Sequence, residues 1–526
     1  MTEVVSPQTH VARGATFIFV QGFLNAALGV LFVWFLLHTK EITGQILFTE
    51  ADFGMYTLLS FILTLTSTLG IFALRSASVR YIAHYLAKGE KDEARSVVTR
   101  VLQISALTSL TIAVLLFALA GALSNIFGIS VLIFLLLPLS STIQIFYFQT
   151  QGFLQGLQKI RELATIGIFY TVVQYSFAIL LVYVGFGVLG IVISWLFALV
   201  LSCLTSFFVT FRKISPSAHA HELKPLLGFS FPIYVSVLLA FIVGWVDQIL
   251  VFPFLGAEAL GVYSIAVRAS VVPNLVPNAI IISLYPKLSE MHSTLGVGSL
   301  RDAFRASTRY AALLGFPISL MVATLAYPII VLFATVRFVD AVLPLAVMCI
   351  ASIPTVLGSA ITPTLYTLKR TQVASSITAI IIVLEAFLSY VSLAYLKADL
   401  AGVALSRFFA AFAGFSLGAY VLWRSLNIEF DREAIWKSAM ASITMVLSLF
   451  ALELLRAVID SSSYQFLVLR LRLLPVYAVV GVVVYIFSLI ALKVVKRRDI
   501  ELLHDYLPSY LRWIADLFSR IARVRE

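Results

Sequence analysis

The chain has 526 residues, of which 61% are hydrophobic and 12% charged, against about 25% charged in a soluble domain. That composition excludes an ordinary water-soluble protein and calls for many membrane spans. The net charge of +11 does not point to nucleic acid. The cations lie between apolar runs, and no soluble module carries a basic patch interleaved with aromatics, so topology and contact with anionic lipid account for them.

The first apolar run begins after Arg13 and is too long for the core of a signal peptide, so it reads as a first span. In chain order the runs are 13–37, 52–75, 97–123, 129–150, 162–184, 187–211, 226–252, 257–284, 306–333, 339–366, 373–396, 400–424, 434–456 and 467–492, fourteen in all. Each is close to the roughly 20 residues that cross a bilayer as a helix. They are continuous and do not alternate, which argues against barrel strands. The expected fold is an all-α polytopic membrane protein.

Lys and Arg orient it. Arg80, Lys88, Lys91, Arg95 and Arg100 follow the second run, Lys159 and Arg161 the fourth, and Arg212, Lys213 and Lys224 the sixth. Lys287, Arg301, Arg305 and Arg309, then Lys369 and Arg370, then Arg424, Arg432 and Lys437 follow later even-numbered runs. Loops after odd-numbered runs are poor in cations, apart from the stretch with Arg456, Arg470 and Arg472. The even side is therefore expected to be cytoplasmic, with both termini inside a cell membrane. From Pro508 onward Leu511, Ile514, Leu517, Phe518 and Ile521 recur at helical spacing, with Arg512, Asp516, Arg520 and Arg523 opposite. The tail, 493–526, is expected to lie as a basic amphipathic helix on the anionic inner leaflet; a partner-binding helix is the alternative.

Cys203 and Cys349 sit inside apolar runs and read as small buried hydrophobes. His219 and His221 lie close together in a loop without cysteine, so no metal site and no cofactor are expected.

The chain repeats itself. "FGMYTLLS" at 53–60 resembles "LGVYSIAV" at 260–267, with Gly54 and Tyr56 falling on Gly261 and Tyr263 at an offset of 207. "LGIVISWLFA" at 189–198 resembles "AGVALSRFFA" at 401–410 at an offset of 212. Six spans are thus echoed by six. Six is even, so the copies are parallel repeats about an axis along the membrane normal, an arrangement used by transporters. The expected division is a lobe at 1–212, a cytoplasmic linker at 213–225, a second lobe at 226–424, two added spans within 434–492, and the tail.

Ionisable residues inside spans cost about 2.5–3.5 kcal/mol on insertion scales and are functional candidates by default. In "DQILVFPFLGAEALGVYSIAVR", Asp247 and Arg268 lie roughly 14 Å and roughly 18 Å along their helices from a turn near Gly256, at similar depth. They would pair with each other, setting helix register, or both face a cavity. Glu385 falls mid-span opposite Gln174, either functional or a polar helix contact. Arg407 falls opposite Trp195, either functional or snorkelling to the interface. Arg75 and Arg80 stand at the cytoplasmic end of span two, where topology and lipid headgroups already account for them. Glu453, near an outer end, is given no functional weight.

"VARGATFIFV", "DFGMYTLLSFI", "VRYIAHYLAKGEKDEAR" and "DQILVFPFLGAEALGVYSIAVRAS" resemble the polysaccharide biosynthesis flippases of the multidrug/oligosaccharidyl-lipid/polysaccharide exporter superfamily. The resemblance covers spans one to twelve in order. It implies a V-shaped pair of six-helix lobes around a central cavity. It implies a transporter rather than an enzyme, carrying a polyprenyl or dolichyl (pyro)phosphate-linked oligosaccharide from the cytoplasmic to the outer leaflet for polysaccharide or glycoprotein assembly. Under that resemblance Arg268 and Arg407 supply cations inside the cavity, and Tyr263 and Trp195 stack on sugars. Arg75 and Arg80 collect phosphate at the inner mouth, and Asp247 or Glu385 balances the cations or binds a coupling ion. Spans thirteen and fourteen would hold the lipid tail, and enzymes of glycan assembly would be partners. Two alternatives remain open. A cation-coupled multidrug exporter of the same superfamily would have an acidic residue in span one, and 13–37 has none. A membrane glycosyltransferase or oligosaccharide ligase would use an acidic motif such as Glu50-x-Asp52, but Asp52 belongs to the repeated stretch.

Overall fold

The computed structural model describes the backbone of residues 7–427, 429–459 and 473–494, with side chains except at 7–15, 276–297, 299, 426 and 456–459. The expected amphipathic tail, and residues 460–472 at the start of the fourteenth run, lie outside the described residues. Among those described there is no strand. The helices are α1 (Pro7–Leu37), α2 (Thr39–Thr43), α3 (Glu50–Ile71), α4 (Leu74–Ala87), α5 (Lys91–Phe127), α6 (Val131–Gly156), α7 (Ile160–Tyr183), α8 (Gly187–Phe211) and α9 (Leu223–Ala269). They continue with α10 (Val271–Thr324), α11 (Ala326–Ala334), α12 (Val342–Gly358), α13 (Ile361–Thr367), α14 (Thr371–Ala394), α15 (Leu400–Leu426), α16 (Arg432–Ile459) and α17 (Leu474–Ala491).

Thirteen helical stretches among the described residues are long and apolar enough to cross a membrane. One of them, Leu223–Leu275, contains the seventh of the fourteen expected runs and the first part of the eighth. It breaks at Gly256, with φ 84° and ψ −174°, a conformation open to glycine alone. The two numbers therefore describe one architecture.

The second run differs from its expectation. It ends at Ile71, and two successive residues, Phe72 and Ala73, take positive φ of 49° and 52°. The carbonyls this exposes are recaptured: Thr108 Oγ1 donates to Gly70 O at 2.8 Å and Gln149 Nε2 to Ile71 O at 3.2 Å. A broken span is tolerated inside a membrane when neighbours satisfy the freed groups. Arg75 and Arg80 consequently stand on a separate helix, α4. Gly152 and Gly156 of α6 let α4 approach closely. A Cβ on Gly152 would come within 2.9 Å of Arg75 Cγ, and one on Gly156 within 3.2 Å of Ser78 O.

By contacts the chain forms two compact units, 1–245 with 255–261, and 246–254 with 262–526. In the first, α5 packs on α6, α6 on α8, and α7 on α8; in the second, α10 packs on α12, α12 on α15, and α14 on α15. These are the same neighbour relations in repeat-equivalent spans. Short polar side chains tie helices together in both units, as small residues do in lipid. Thr66 meets Ser141 at 2.8 Å, Ser206 meets Thr150 at 2.7 Å, and Ser319 meets Ser352 at 2.7 Å. Leu107, Ile126, Leu204, Val383 and Leu447 are exposed, as lipid-facing residues are. Cys203 and Cys349 are buried and free.

The stretch after α8 is pinned to the first unit. Ser217 and Thr99 exchange two hydrogen bonds of 2.8 and 2.9 Å, and Arg100 Nε donates to His221 O at 2.6 Å. Tyr85 Oη lies 2.9 Å from His221 Nε2. Burial first, then the Glu93 carboxylate, holds the Tyr85 phenol above its ordinary pKa. In the second unit, buried Arg309 joins Asp431 at 3.6 Å and donates to Val494 O. Asp431 in turn caps α16 through Ala434 N at 3.1 Å. Spans thirteen and fourteen are anchored there.

Candidate functional site

The intramembrane charges of the second unit converge. Asp247 lies in the first limb of α9 and is fully buried. Its Oδ1 accepts from Gln248 N at 2.8 Å. Its Oδ2 accepts from Tyr263 Oη at 2.9 Å and from Arg407 Nη1 at 2.7 Å. Glu385, on α14, places Oε1 4.0 Å from Arg407 Nε. That oxygen is buried and has no hydrogen-bond partner among the described residues. One guanidinium is thus held between two carboxylates and fixed through one of them by a phenol. Gln248 extends the polar patch, with Ser264 Oγ donating to its Oε1 at 3.4 Å.

The local sequence explains the convergence. Asp247 stands nine residues before Gly256 and Arg407 eight after Asp399, the N-cap of α15. At a rise of ~1.5 Å per residue these are depths of about 14 and about 12 Å. Glu385, ten residues before the α14 C-cap at Tyr395, comes to about 15 Å by the same rise. Three helices therefore deliver charge at one level. Buried charges persist in such a place only when paired and hydrogen-bonded. Sequence spacing contained that coincidence of depth, but it could not say which helices are neighbours.

The remaining candidates are placed as follows. Tyr263 is fully buried and its hydroxyl is committed to Asp247. Arg407 keeps 29% of its side-chain surface exposed. Arg268, five residues beyond Tyr263 on α9, is half-buried. In the first unit, Trp195 is 3% exposed and packs on Tyr56 at 5.9 Å between centroids. Arg75 is half-buried and reaches Gln155 Oε1 at 3.4 Å. Arg80 is exposed and lies over the Phe229 ring at 4.4 Å. The structure thus joins Asp247, Tyr263, Glu385 and Arg407, and places Arg75, Arg80 and Trp195 in the first unit.

Two acidic positions resolve differently. Asp52 accepts from Thr49 N at 2.8 Å and donates its own N–H to Thr49 Oγ1 at 3.1 Å, a capping box that starts α3. The Glu50-x-Asp52 pattern therefore has a structural use. Glu453, given no weight from sequence, accepts from Tyr477 Oη at 2.8 Å beside a small cavity lined also by Thr324, Tyr327 and Leu449. Among the described residues no group of three His, Cys, Asp or Glu side chains could hold a metal ion.

The fold is shared with solved transporters. The chain is similar to the lipid II flippase MurJ in an inward closed conformation, with 16% identity over 90% of this chain and 98% of that one, and a TM-score of 0.68. It is similar to an inward-facing multidrug resistance MATE family transporter of the MOP superfamily, with 18% identity over 77% and 95% and a TM-score of 0.58. A MOP superfamily transporter from Pyrococcus furiosus, described as having a binding pocket of reversed polarity, matches with 15% identity over 79% and 93% and a TM-score of 0.52. No curated protein has a matching sequence. Residues 47–343, more than half of the chain, match the family described as polysaccharide biosynthesis protein, and the chain therefore belongs to that family.

Proposed function

We propose that this membrane protein is a flippase for a polyprenyl or dolichyl (pyro)phosphate-linked oligosaccharide. It moves the lipid from the cytoplasmic to the outer leaflet by alternating access and makes no chemical change to it. It acts in a cell membrane with both termini cytoplasmic, its basic tail on the anionic inner leaflet, beside the enzymes that assemble the glycan. The observation that carries this reading is Arg407. It is held within the spans between Asp247 and Glu385, yet part of its side chain stays uncovered. A cation so placed can exchange a carboxylate partner for a substrate phosphate. Arg268 adds a second cation on the same unit, and Arg75 and Arg80 receive the phosphate as it arrives. Tyr263 orients Asp247 from within, and Trp195 supports the equivalent helix of the first unit, where sugar stacking would require it to become uncovered.

Reconstitution tests this. Vesicles containing the protein and a fluorescent lipid-linked oligosaccharide should protect the label from, or expose it to, an outside quencher faster than empty vesicles. Arg268→Gln, with protein level held, should slow that rate about tenfold or more. An unchanged rate would remove Arg268 from the substrate site.

One feature favours a second reading within the same superfamily. Two carboxylates face one guanidinium, and Glu385 Oε1 has no donor among the described residues. Such a group can take a proton or a small cation, which would couple transport to a gradient. A rate that follows an imposed proton or sodium gradient supports coupling, and indifference to both removes it.

A further inference from the structure

Glu453 lies outside the cluster of Asp247, Glu385 and Arg407, near the end of span thirteen that the Lys and Arg pattern assigns to the outer face. α10 packs on α16 and α16 on α17, which brings spans nine, thirteen and fourteen together. Between them lies the cavity beside Glu453, of about 60 Å³, room for a few waters or one small headgroup. Every residue around it belongs to the second unit. Leu325, Leu449 and Tyr477 back it as members of one buried cluster. Phe450, also part of its wall, is 59% exposed, so the cavity opens toward the lipid-facing surface.

Its polar groups suit a cation with N–H donors. Tyr477 Oη donates to Glu453 Oε2 at 2.8 Å, and Thr324 Oγ1 donates to Leu320 O at 2.8 Å. Both hydroxyl protons are thus used, and each oxygen keeps lone pairs with which to accept. A carboxylate has about four acceptor sites, so Glu453 can receive a donor besides Tyr477. Three accepting groups match the three donors of a primary ammonium. The rings of Tyr327, Phe450 and Tyr477 line the same space, and aromatic faces attract ammonium groups. An anion would meet the Glu453 charge, and a calcium ion would ask for about six to eight oxygens. The level is also that of lipid headgroups. α16 has 28 residues and is about 42 Å long, against roughly 30 Å of hydrocarbon. Centred, it extends about 6 Å past the boundary at each end and puts Glu453, six residues before Ile459, about 3 Å beneath it.

We propose that the Glu453–Tyr477 cavity binds the primary ammonium headgroup of an outer-leaflet phospholipid. The headgroup enters sideways past Phe450. Its ammonium is received by Glu453, Tyr477 and Thr324, and Tyr477 acts as a positioning residue for the carboxylate. Such binding does not depend on what the protein transports, so it is measured without a flipping assay.

Calorimetry on the full-length protein in detergent tests it, with dihexanoyl phosphatidylethanolamine, phosphatidylglycerol and phosphatidylcholine as probes. The ethanolamine lipid should bind about tenfold tighter than the other two, since the glycerol headgroup has no ammonium and choline has no N–H. Glu453→Gln should abolish that preference and Tyr477→Phe weaken it. Glu433→Gln, a carboxylate 69% exposed at the opposite end of the same helix, should leave it intact. Equal affinity for the three lipids, or a preference that survives Glu453→Gln, overturns the site. Binding of free glucosamine without any preference for the ethanolamine lipid assigns the ammonium to a sugar and overturns the lipid. If Glu453→Gln does not fold, photolabelling of the unaltered protein decides. Phosphatidylethanolamine with a diazirine at the top of one chain should label α16 or α17, and excess unlabelled phosphatidylethanolamine, but not phosphatidylglycerol, should suppress that labelling. Labelling confined to other helices overturns the site.

Discussion

In the first unit, spans one, two, five and six contribute Phe32, Tyr56, Tyr175 and Trp195. Phe32 stacks on Tyr175 at 4.4 Å and meets Tyr56 edge-on at 6.1 Å, and Tyr56 packs on Trp195 at 5.9 Å. In the second unit, the equivalent spans seven, eight, eleven and twelve contribute Asp247, Tyr263, Glu385 and Arg407. The tyrosines are repeat equivalents, and Trp195 stands where the second copy has Arg407. One backbone arrangement therefore carries rings in one unit and charges in the other. Rings suffice to fill the space, since aromatic pairs contribute about 0.5–1.5 kcal/mol beyond burial. Charges bring a desolvation cost that rings avoid. Their presence in one copy alone is what the proposed transport role rests on.

Removing the cation should break the comparison most severely. Arg407→Ala leaves two carboxylates facing each other and should cost about 3–5 kcal/mol of stability, read as a lower unfolding temperature in detergent, with transport reduced to background. The triple change Asp247→Leu, Glu385→Leu, Arg407→Met makes this cluster apolar, like the ring cluster of the first unit. Its stability should return to the starting value or rise by about 1–4 kcal/mol, while flipping stays lost. Transport that survived the triple change would reduce the charges to a register device. Tyr263→Phe removes a hydrogen bond to a carboxylate and should cost about 1.5–3 kcal/mol. Trp195→Phe, at the ring-filled counterpart, should cost less than about 1.5 kcal/mol and leave any ion dependence of flipping unchanged. Equal costs for the two would mean that Tyr263 acts by packing alone.

Much of this was legible in the chain. The apolar runs located the spans, because each must satisfy its backbone internally and reach across the bilayer. Recurrence of Gly54 and Tyr56 at Gly261 and Tyr263 disclosed the duplication. The breaks were harder to see. Nothing in "LGIFALRS" marks Phe72 and Ala73 for positive φ, because the conformation is stabilised by Thr108 and Gln149 from elsewhere. Asp247 and Arg268 share one short stretch, and their spacing allowed either a pair or two charges facing a cavity. The structure joins Asp247 to Arg407, 160 residues away.

By itself, then, the sequence determined composition, span number and repeat, since hydropathy and helical rise are local properties. Which charges meet, which rings are interior and which helices enclose the cavity beside Glu453 were decided by tertiary structure alone. Those outcomes depend on which face each helix turns to its neighbour, and in a membrane that choice follows from packing and polar satisfaction between helices rather than from the pattern within any one of them.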